Sequence, residues 1–209
     1  MRPRSPNGQL LTAVALGVGG RVYNSNDGGA TWVESGDGVD RDWYRVATSA
    51  DGQTIAAAEH GGGHLFISHN RGASWTMVTS TPKGDYTTVA MSADGQVIAV
   101  SITGQPTPGV ADGGVYLSTN GGASFTAMPM PGTDDNWRAV AMSADGNMLI
   151  AGTGTFTSTP GQLYTSRSNR TMTGTLGSLT GGQGNSVQLQ YLGGGQFKVL
   201  NSTGAFSIQ

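Results

Sequence analysis

The 209-residue chain contains no cysteine. Disulfides and thiolate metal sites are thereby excluded, and the fold must close by packing and strand pairing alone. Charge is also scarce: 11% of the residues are charged, and the net charge is −2. Long solvated helices need far more charge than this. The 11 lysines and arginines are scattered, which argues against the basic face that nucleic-acid binding requires. Runs of about 18 apolar residues are absent, so no transmembrane helix is expected. Arg2 and Arg4 followed by the apolar run Leu10 to Val18 imitate a signal peptide. The same run aligns with a strand of the internal repeats described next, and the strand reading is preferred. Glutamate is reduced to Glu34 and Glu59, so carboxylate-pair catalysis would have to draw on aspartates, with Asp42, Asp85, Asp112, Asp134 and Asp135 as the candidates.

What the chain does have is glycine, at 35 residues, and internal repetition. Ser25-Asn-Asp-Gly-Gly-Ala-Thr-Trp32 returns as Ser68-His-Asn-Arg-Gly-Ala-Ser-Trp75 and as Ser118-Thr-Asn-Gly-Gly-Ala-Ser-Phe125. A decayed copy begins at Ser166, so the spacings are 43, 50 and 48 residues. A second motif keeps the same rhythm: Ser49-Ala-Asp-Gly52, Ser92-Ala-Asp-Gly95 and Ser143-Ala-Asp-Gly146, with Ser5-Pro-Asn-Gly8 as its N-terminal copy. Each repeat reads as a four-stranded meander. In one of them strand a spans 44–49, strand b 54–58, strand c 64–69 and strand d 74–78. Four short strands per 40–50 residues are the pattern of a propeller blade.

The first motif has a physical reason. Its Asp or Asn oxygen accepts backbone N–H bonds within a tight turn, its glycine supplies positive φ, and its aromatic wedges into the sheet packing. These residues resemble the Asp-box, or bacterial neuraminidase repeat, found in sialidases, xyloglucanases, sortilin-type receptors and a photosystem assembly factor. The resemblance covers about residues 5–170. It implies an all-β propeller in which Ser25, Asp27, Gly29, Trp32, Ser68, Asn70, Gly72, Trp75, Ser118, Asn120, Gly122 and Phe125 are structural. The expected architecture is a single domain over 1–209, a small propeller of four-stranded antiparallel blades. The repeats fall at about 5–35, 43–79, 86–128 and 137–172. Residues 5–35 supply strands b, c and d, and 186–209 mimic a, b and c. Five blades closed by strands from both termini are therefore preferred over four. A fragment of a larger propeller, or a separate module over 173–209, are the alternatives.

Both motifs occupy one face, so function is expected on the other. Its b–c loops, 59–63, 103–114 and 153–162, carry all the length changes, and variable loops on a rigid frame commonly hold function. Trp43, Tyr86 and Trp137 recur at the start of the innermost strands, preceded by Asp42, Asp85 and Asn136. Two readings stand: core packing between blades, or stacking platforms for sugar rings. On the second reading Asp42, Asp85, Arg45, Arg138, Asp134 and Asp135 hydrogen-bond sugar hydroxyls. His60 and His64 flank a three-glycine loop and are weak metal candidates, short of the three or four ligands zinc needs. No cofactor is expected. No G-x-S-x-G, phosphate loop or Ser-His-Asp set occurs, and catalysis is disfavoured. The resulting expectation is a non-catalytic, carbohydrate-binding module, extracellular or on a cell envelope, with no nucleic-acid partner and the option of a homo-oligomer. A protein-interaction scaffold and a glycosidase-like fragment are the other readings.

Overall fold

The computed structural model describes residues 8–17, 19–35, 40–104, 113–129, 136–154 and 161–166, together with the backbone of the C-terminal strands from 167 onward. Every described element is a strand. The first sheet joins β1 (Leu11–Val14), β2 (Val22–Ser25) and β3 (Val33–Ser35). The second is β4 (Trp43–Thr48), β5 (Ile55–Glu59), β6 (Leu65–Ser68) and β7 (Thr76–Met77). The third is β8 (Asp85–Met91), β9 (Ile98–Thr103), β10 (Gly114–Ser118) and β11 (Thr126–Ala127). The fourth is β12 (Trp137–Met142), β13 (Met148–Thr153), β14 (Leu163–Arg167) and β15 (Leu176–Gly181). Strands β16 (Ser186–Gly193) and β17 (Gln196–Thr203) form a hairpin, and β18 (Phe206–Ile208) extends the fourth sheet beyond β15. All these pairings are antiparallel, and all but β15 with β18 join chain neighbours. The first sheet holds strands b, c and d, as its repeat content implied. The run beginning at Leu10 contributes β1, paired with β2 from Leu11↔Ser25 to Val14↔Val22.

The C-terminal expectation changes in two respects. Residues 206–208, read as the third strand of a closing set, pair with β15 and not with β17. The outer strand of the fourth sheet lies at 176–181, beyond the boundary drawn at 172.

Sheets face one another because their central strands are apolar on both sides. In β5 the alternate residues Ile55 and Ala57 pack with Val22, Trp43, Val46 and Phe66, toward the first sheet. Ala56 and Ala58 pack with Leu65, Tyr86, Ile98 and Val100, toward the third. Alternation of period two sends successive side chains to opposite faces, and three consecutive alanines let neighbouring sheets approach closely. β9 repeats the device, with Ile98, Val100 and Ile102 on one side and Ala99 on the other. Strand β4 lies against both β1 and β8, and β8 against β12, so the first strands of successive complete sheets run side by side.

The recurrent turns carry their own hydrogen bonds. Ser25 Oγ donates to Asp27 Oδ1 at 2.7 Å and accepts from Gly29 N at 2.8 Å, while Thr31 N donates to Asp27 Oδ1 at 2.9 Å. Ser68, Asn70, Gly72 and Ser74 repeat this pattern, as do Ser118, Asn120, Gly122 and Ser124. In the Ser-Ala-Asp-Gly turns the serine hydroxyl donates to the aspartate and accepts from the residue five positions on, as in Ser92 with Asp94 and Val97 N. Gly52, Gly95 and Gly146 sit at φ of +69°, +71° and +71°, and Gly8 matches them at +69°. Bonds then run between turns: Ala50 N donates to Ala93 O and Ala93 N to Ala144 O, at 2.8 and 2.7 Å. One face is thus knitted from sheet to sheet by backbone groups.

These turns have an acid signature. Hydrogen bonds from Thr31 and Ser25 hold the Asp27 carboxyl well below the usual range. Asp51 and Asp145 are lowered chiefly by Ser49 and Ser143. A carboxylate depressed in the folded state stabilises it above the unfolded value of about 4, and that contribution fades as pH falls through the folded value. Asn70 and Asn120 make the same turn without titrating. Asp27→Asn is therefore expected to fold and to flatten the acid limb of the stability curve below about pH 4. Thermal melting across an acid pH series checks this; an unchanged acid limb would count against it.

Candidate functional site

Strands β4, β8 and β12 each carry a bulge at the same level, one residue past the recurrent aromatic. The register shifts between Trp43 and Arg45, between Tyr86 and Thr88, and between Trp137 and Ala139. Tyr44, Thr87 and Arg138 are the inserted residues. A bulge adds one residue against its partner strand and re-aims the side chain that it carries. All three bulges lie at the strand ends from which the b–c loops emerge, on the face opposite the recurrent turns.

The aromatics beside them are core. Trp43, Tyr86 and Trp137 are 2%, 0% and 2% exposed. Trp43 meets Phe66 and Trp75 with ring centroids 5.4 Å apart, and Trp137 meets Tyr164 at 5.1 Å. The Tyr86 hydroxyl donates to Pro82 O and shares a hydrogen bond with Thr81 Oγ1, both at 2.9 Å, and burial pushes its pKa up to about 12. None of these rings has a face open to a ligand. The stacking platform expected at these three positions therefore does not form from them: each ring packs between its own sheet and the preceding one.

What lines the rim is polar. Asp42 is exposed; its Oδ1 accepts from Gly17 N at 2.9 Å and its Oδ2 lies 3.6 Å from His60 Nδ1. The His60 ring stands edge-on to Tyr44 at 4.9 Å. Arg45 Cζ lies 3.7 Å from the Tyr44 ring centroid, a cation–π contact, while Arg45 Nε donates to Thr87 O at 2.5 Å. Thr88, at the equivalent place in β8, bonds Arg138 O, at 3.1 Å. Arg45 and Thr88 thus clamp the bulge carbonyl of the next sheet, and Arg45 joins sheets as well as lining the rim. Arg138 Nε donates to Gly154 O at 3.0 Å, anchoring a part-exposed guanidinium beside the third variable loop. Asp85 opens β8, half-buried, paired in register with Thr103. Asp134 and Asp135 lie outside the described residues, as do most of the second and third variable loops.

His60 and His64 take different carboxylates. His64 Nδ1 lies 3.6 Å from Glu59 Oε2, which also accepts from His64 N at 2.9 Å. Among the described residues no three His, Asp or Glu side chains gather as a metal set. Tyr44, Thr87 and the loop residue Leu16, 60% exposed beside Gly17, are rim residues that sequence reasoning missed. The signal available was positional: Tyr44, Thr87 and Arg138 each follow the recurrent aromatic directly.

Neither a family model nor a curated protein matches the sequence. Solved structures do. The GH74 xyloglucanase from Xanthomonas campestris is 21% identical with a TM-score of 0.57, covering 79% of this chain and 28% of its own. The GH74 enzyme from Niastella koreensis is 22% identical with a TM-score of 0.60, covering 85% and 29%. The putative TolB from Agrobacterium tumefaciens is 12% identical with a TM-score of 0.60, covering 96% and 79%. The fold is thus of the β-propeller type. The chain spans under a third of the length of these two GH74 structures.

Proposed function

We propose that the chain is a non-catalytic carbohydrate-binding module that presents its bulged rim to a glycan outside the cytoplasm. The observation that carries this reading is the alignment of three bulges, with Tyr44, Thr87 and Arg138 at one level of successive sheets, His60 against Tyr44 and Asp42, and Arg45 bonded to Thr87 O. Sugars are recognised by fixed polar groups against a small apolar surface. Here a part-exposed tyrosine, two anchored guanidinium groups and the neighbouring Leu16 supply that chemistry. Similarity to two GH74 structures, one of them named a xyloglucanase, makes β-glucan oligosaccharides the first ligands to try. A glycosidase reading would have to take its carboxylate pair from aspartates, since glutamate is confined to Glu34 and Glu59.

A glycan array followed by calorimetry tests this, with xyloglucan oligosaccharides included. Arg138→Ala and Tyr44→Ala are each expected to weaken binding about ten-fold, equivalent to about 1.4 kcal/mol, without loss of fold. Absence of any glycan signal, or full affinity in both variants, would overturn the proposal. A second reading rests on Val33 and Met77, 67% and 45% exposed on the outer strands β3 and β7. There a protein partner would dock, and Met77→Asp would abolish capture while leaving the rim intact.

A further inference from the structure

The three recurrent turns differ at two positions that matter chemically. The first reads Asp27-Gly28, the second Asn70-Arg71 and the third Asn120-Gly121. Their backbones agree: φ is +72° at Gly28, +60° at Arg71 and +69° at Gly121. Only the third joins a side-chain amide to a following glycine, whose bare nitrogen can approach that amide without steric hindrance. Arg71 puts a side chain at the same place in the second turn.

In the closed turn the Asn120 side chain is bonded through both its oxygen and its nitrogen. Its Oδ1 accepts from Ser118 Oγ at 2.8 Å and from Ser124 N at 3.0 Å, and its Nδ2 donates to Ser124 Oγ at 2.9 Å. The Gly121 N–H donates to Gln96 O at 2.9 Å. The amide and the nitrogen that would attack it are therefore held by other partners, and they meet only when the turn opens.

The first turn displays what the product would become. Asp27 Oδ1 accepts from Ser25 Oγ and Thr31 N, and Oδ2 accepts from Thr31 Oγ1 at 2.6 Å. An aspartate at 120 would meet the same set, because the Ser124 hydroxyl need only rotate from acceptor to donor.

We propose that Asn120 is a latent self-modification site, gated by opening of the β10–β11 turn, whose aspartate product the turn retains. In the open turn the Gly121 nitrogen bonds to Asn120 Cγ. The Cγ–Nδ2 bond breaks, and ammonia leaves carrying the Gly121 amide proton. Water then opens the succinimide, its hydroxyl going to the carbonyl carbon and its proton to the nitrogen. Opening at one carbonyl yields aspartate, and at the other an isoaspartyl linkage. No electrons are transferred and no co-reactant beyond water is required. The isoaspartyl product lengthens the main chain by one carbon and does not fit a turn closed by bonds to residues 118, 122 and 124.

Peptide mapping by mass spectrometry after incubation at mildly alkaline pH tests the proposal on the intact chain, folded and in urea. Native Asn120 is expected to convert more than about ten-fold slower than in urea, reflecting the opening equilibrium. Ser124→Ala, which removes the bond from Nδ2 at an exposed position, is expected to accelerate conversion in the folded chain. Asn70 is expected to lag behind Asn120 in urea. Asn120→Asp is expected to melt within about 3 °C of the wild type. Equal rates in the folded and unfolded chain, Asn70 keeping pace, no acceleration in Ser124→Ala, or a much lower melting temperature for Asn120→Asp would each overturn the proposal.

Discussion

Trp137→Ala is expected to destabilise the fold by about 3–5 kcal/mol, the range for deleting a buried tryptophan or phenylalanine. The ring is 2% exposed and packs with Val115, Val140, Leu149 and Tyr164, so its removal opens a void between the third and fourth sheets. Interiors packed to crystal-like density relax only in part around such a void. Against a total stability of about 5–15 kcal/mol, this loss is large. Urea denaturation checks it through the shift in midpoint at constant slope. Arg138→Ala, one residue on, removes the hydrogen bond to Gly154 O, a loss worth about 0.5–1.5 kcal/mol. Adjacent residues thus separate core packing from the rim proposed to bind a glycan. Stability of Trp137→Ala within about 1 kcal/mol of wild type would contradict its place in the core.

The second large effect is expected at a glycine. Gly122 has φ +90°, and a Cβ built on it would lie 2.8 Å from Ile67 Cγ1 and 3.0 Å from Ile67 Cδ1, across the boundary between the second and third sheets. Left-handed geometry costs a non-glycine residue about 1–2 kcal/mol, and forcing atoms into a filled core adds about 1–3 kcal/mol. Gly122→Ala is therefore expected to lose about 2–5 kcal/mol in total. Gly121 is the internal control. Its φ is +69°, but a Cβ there meets nothing nearer than 3.5 Å, at His69. Arg71 already occupies the matching position of the second turn at φ +60°. Gly121→Ala should cost only the backbone part, about 1–2 kcal/mol. Equal losses in the two variants, measured by the same denaturation, would show that the contact with Ile67 is not what excludes a side chain.

Much of this was legible before any coordinates. The strands predicted over 44–49, 54–58, 64–69 and 74–78 fall within two residues of β4 to β7 at either end. The b, c and d content of the first sheet was equally readable. The reason is locality: Ser25, Asp27 and Gly29 bond within four residues of one another, so the turn is encoded where it is formed. The repeats then place each turn without any long-range information.

The rim was less legible because it depends on bulges. One inserted residue reverses which face each later side chain takes. The recurrent position of Trp43, Tyr86 and Trp137 was visible, but not whether the rings met solvent or a neighbouring sheet. The shift after each of them decided that Tyr44, Thr87 and Arg138 would hold the inserted place. In the same way, the His60–Asp42 and His64–Glu59 pairs depend on how one glycine loop folds, and Arg45 depends on a carbonyl 42 residues away.

Sequence alone thus determined the absence of disulfides, the blade-like meander and the chemistry of its turns, all consequences of composition or of bonds spanning a few residues. Tertiary structure decided which aromatics are core, which polar groups share the rim and where the C-terminal strands pair. Those outcomes turn on contacts between residues far apart in the chain, where a shift of one position in register changes the partner.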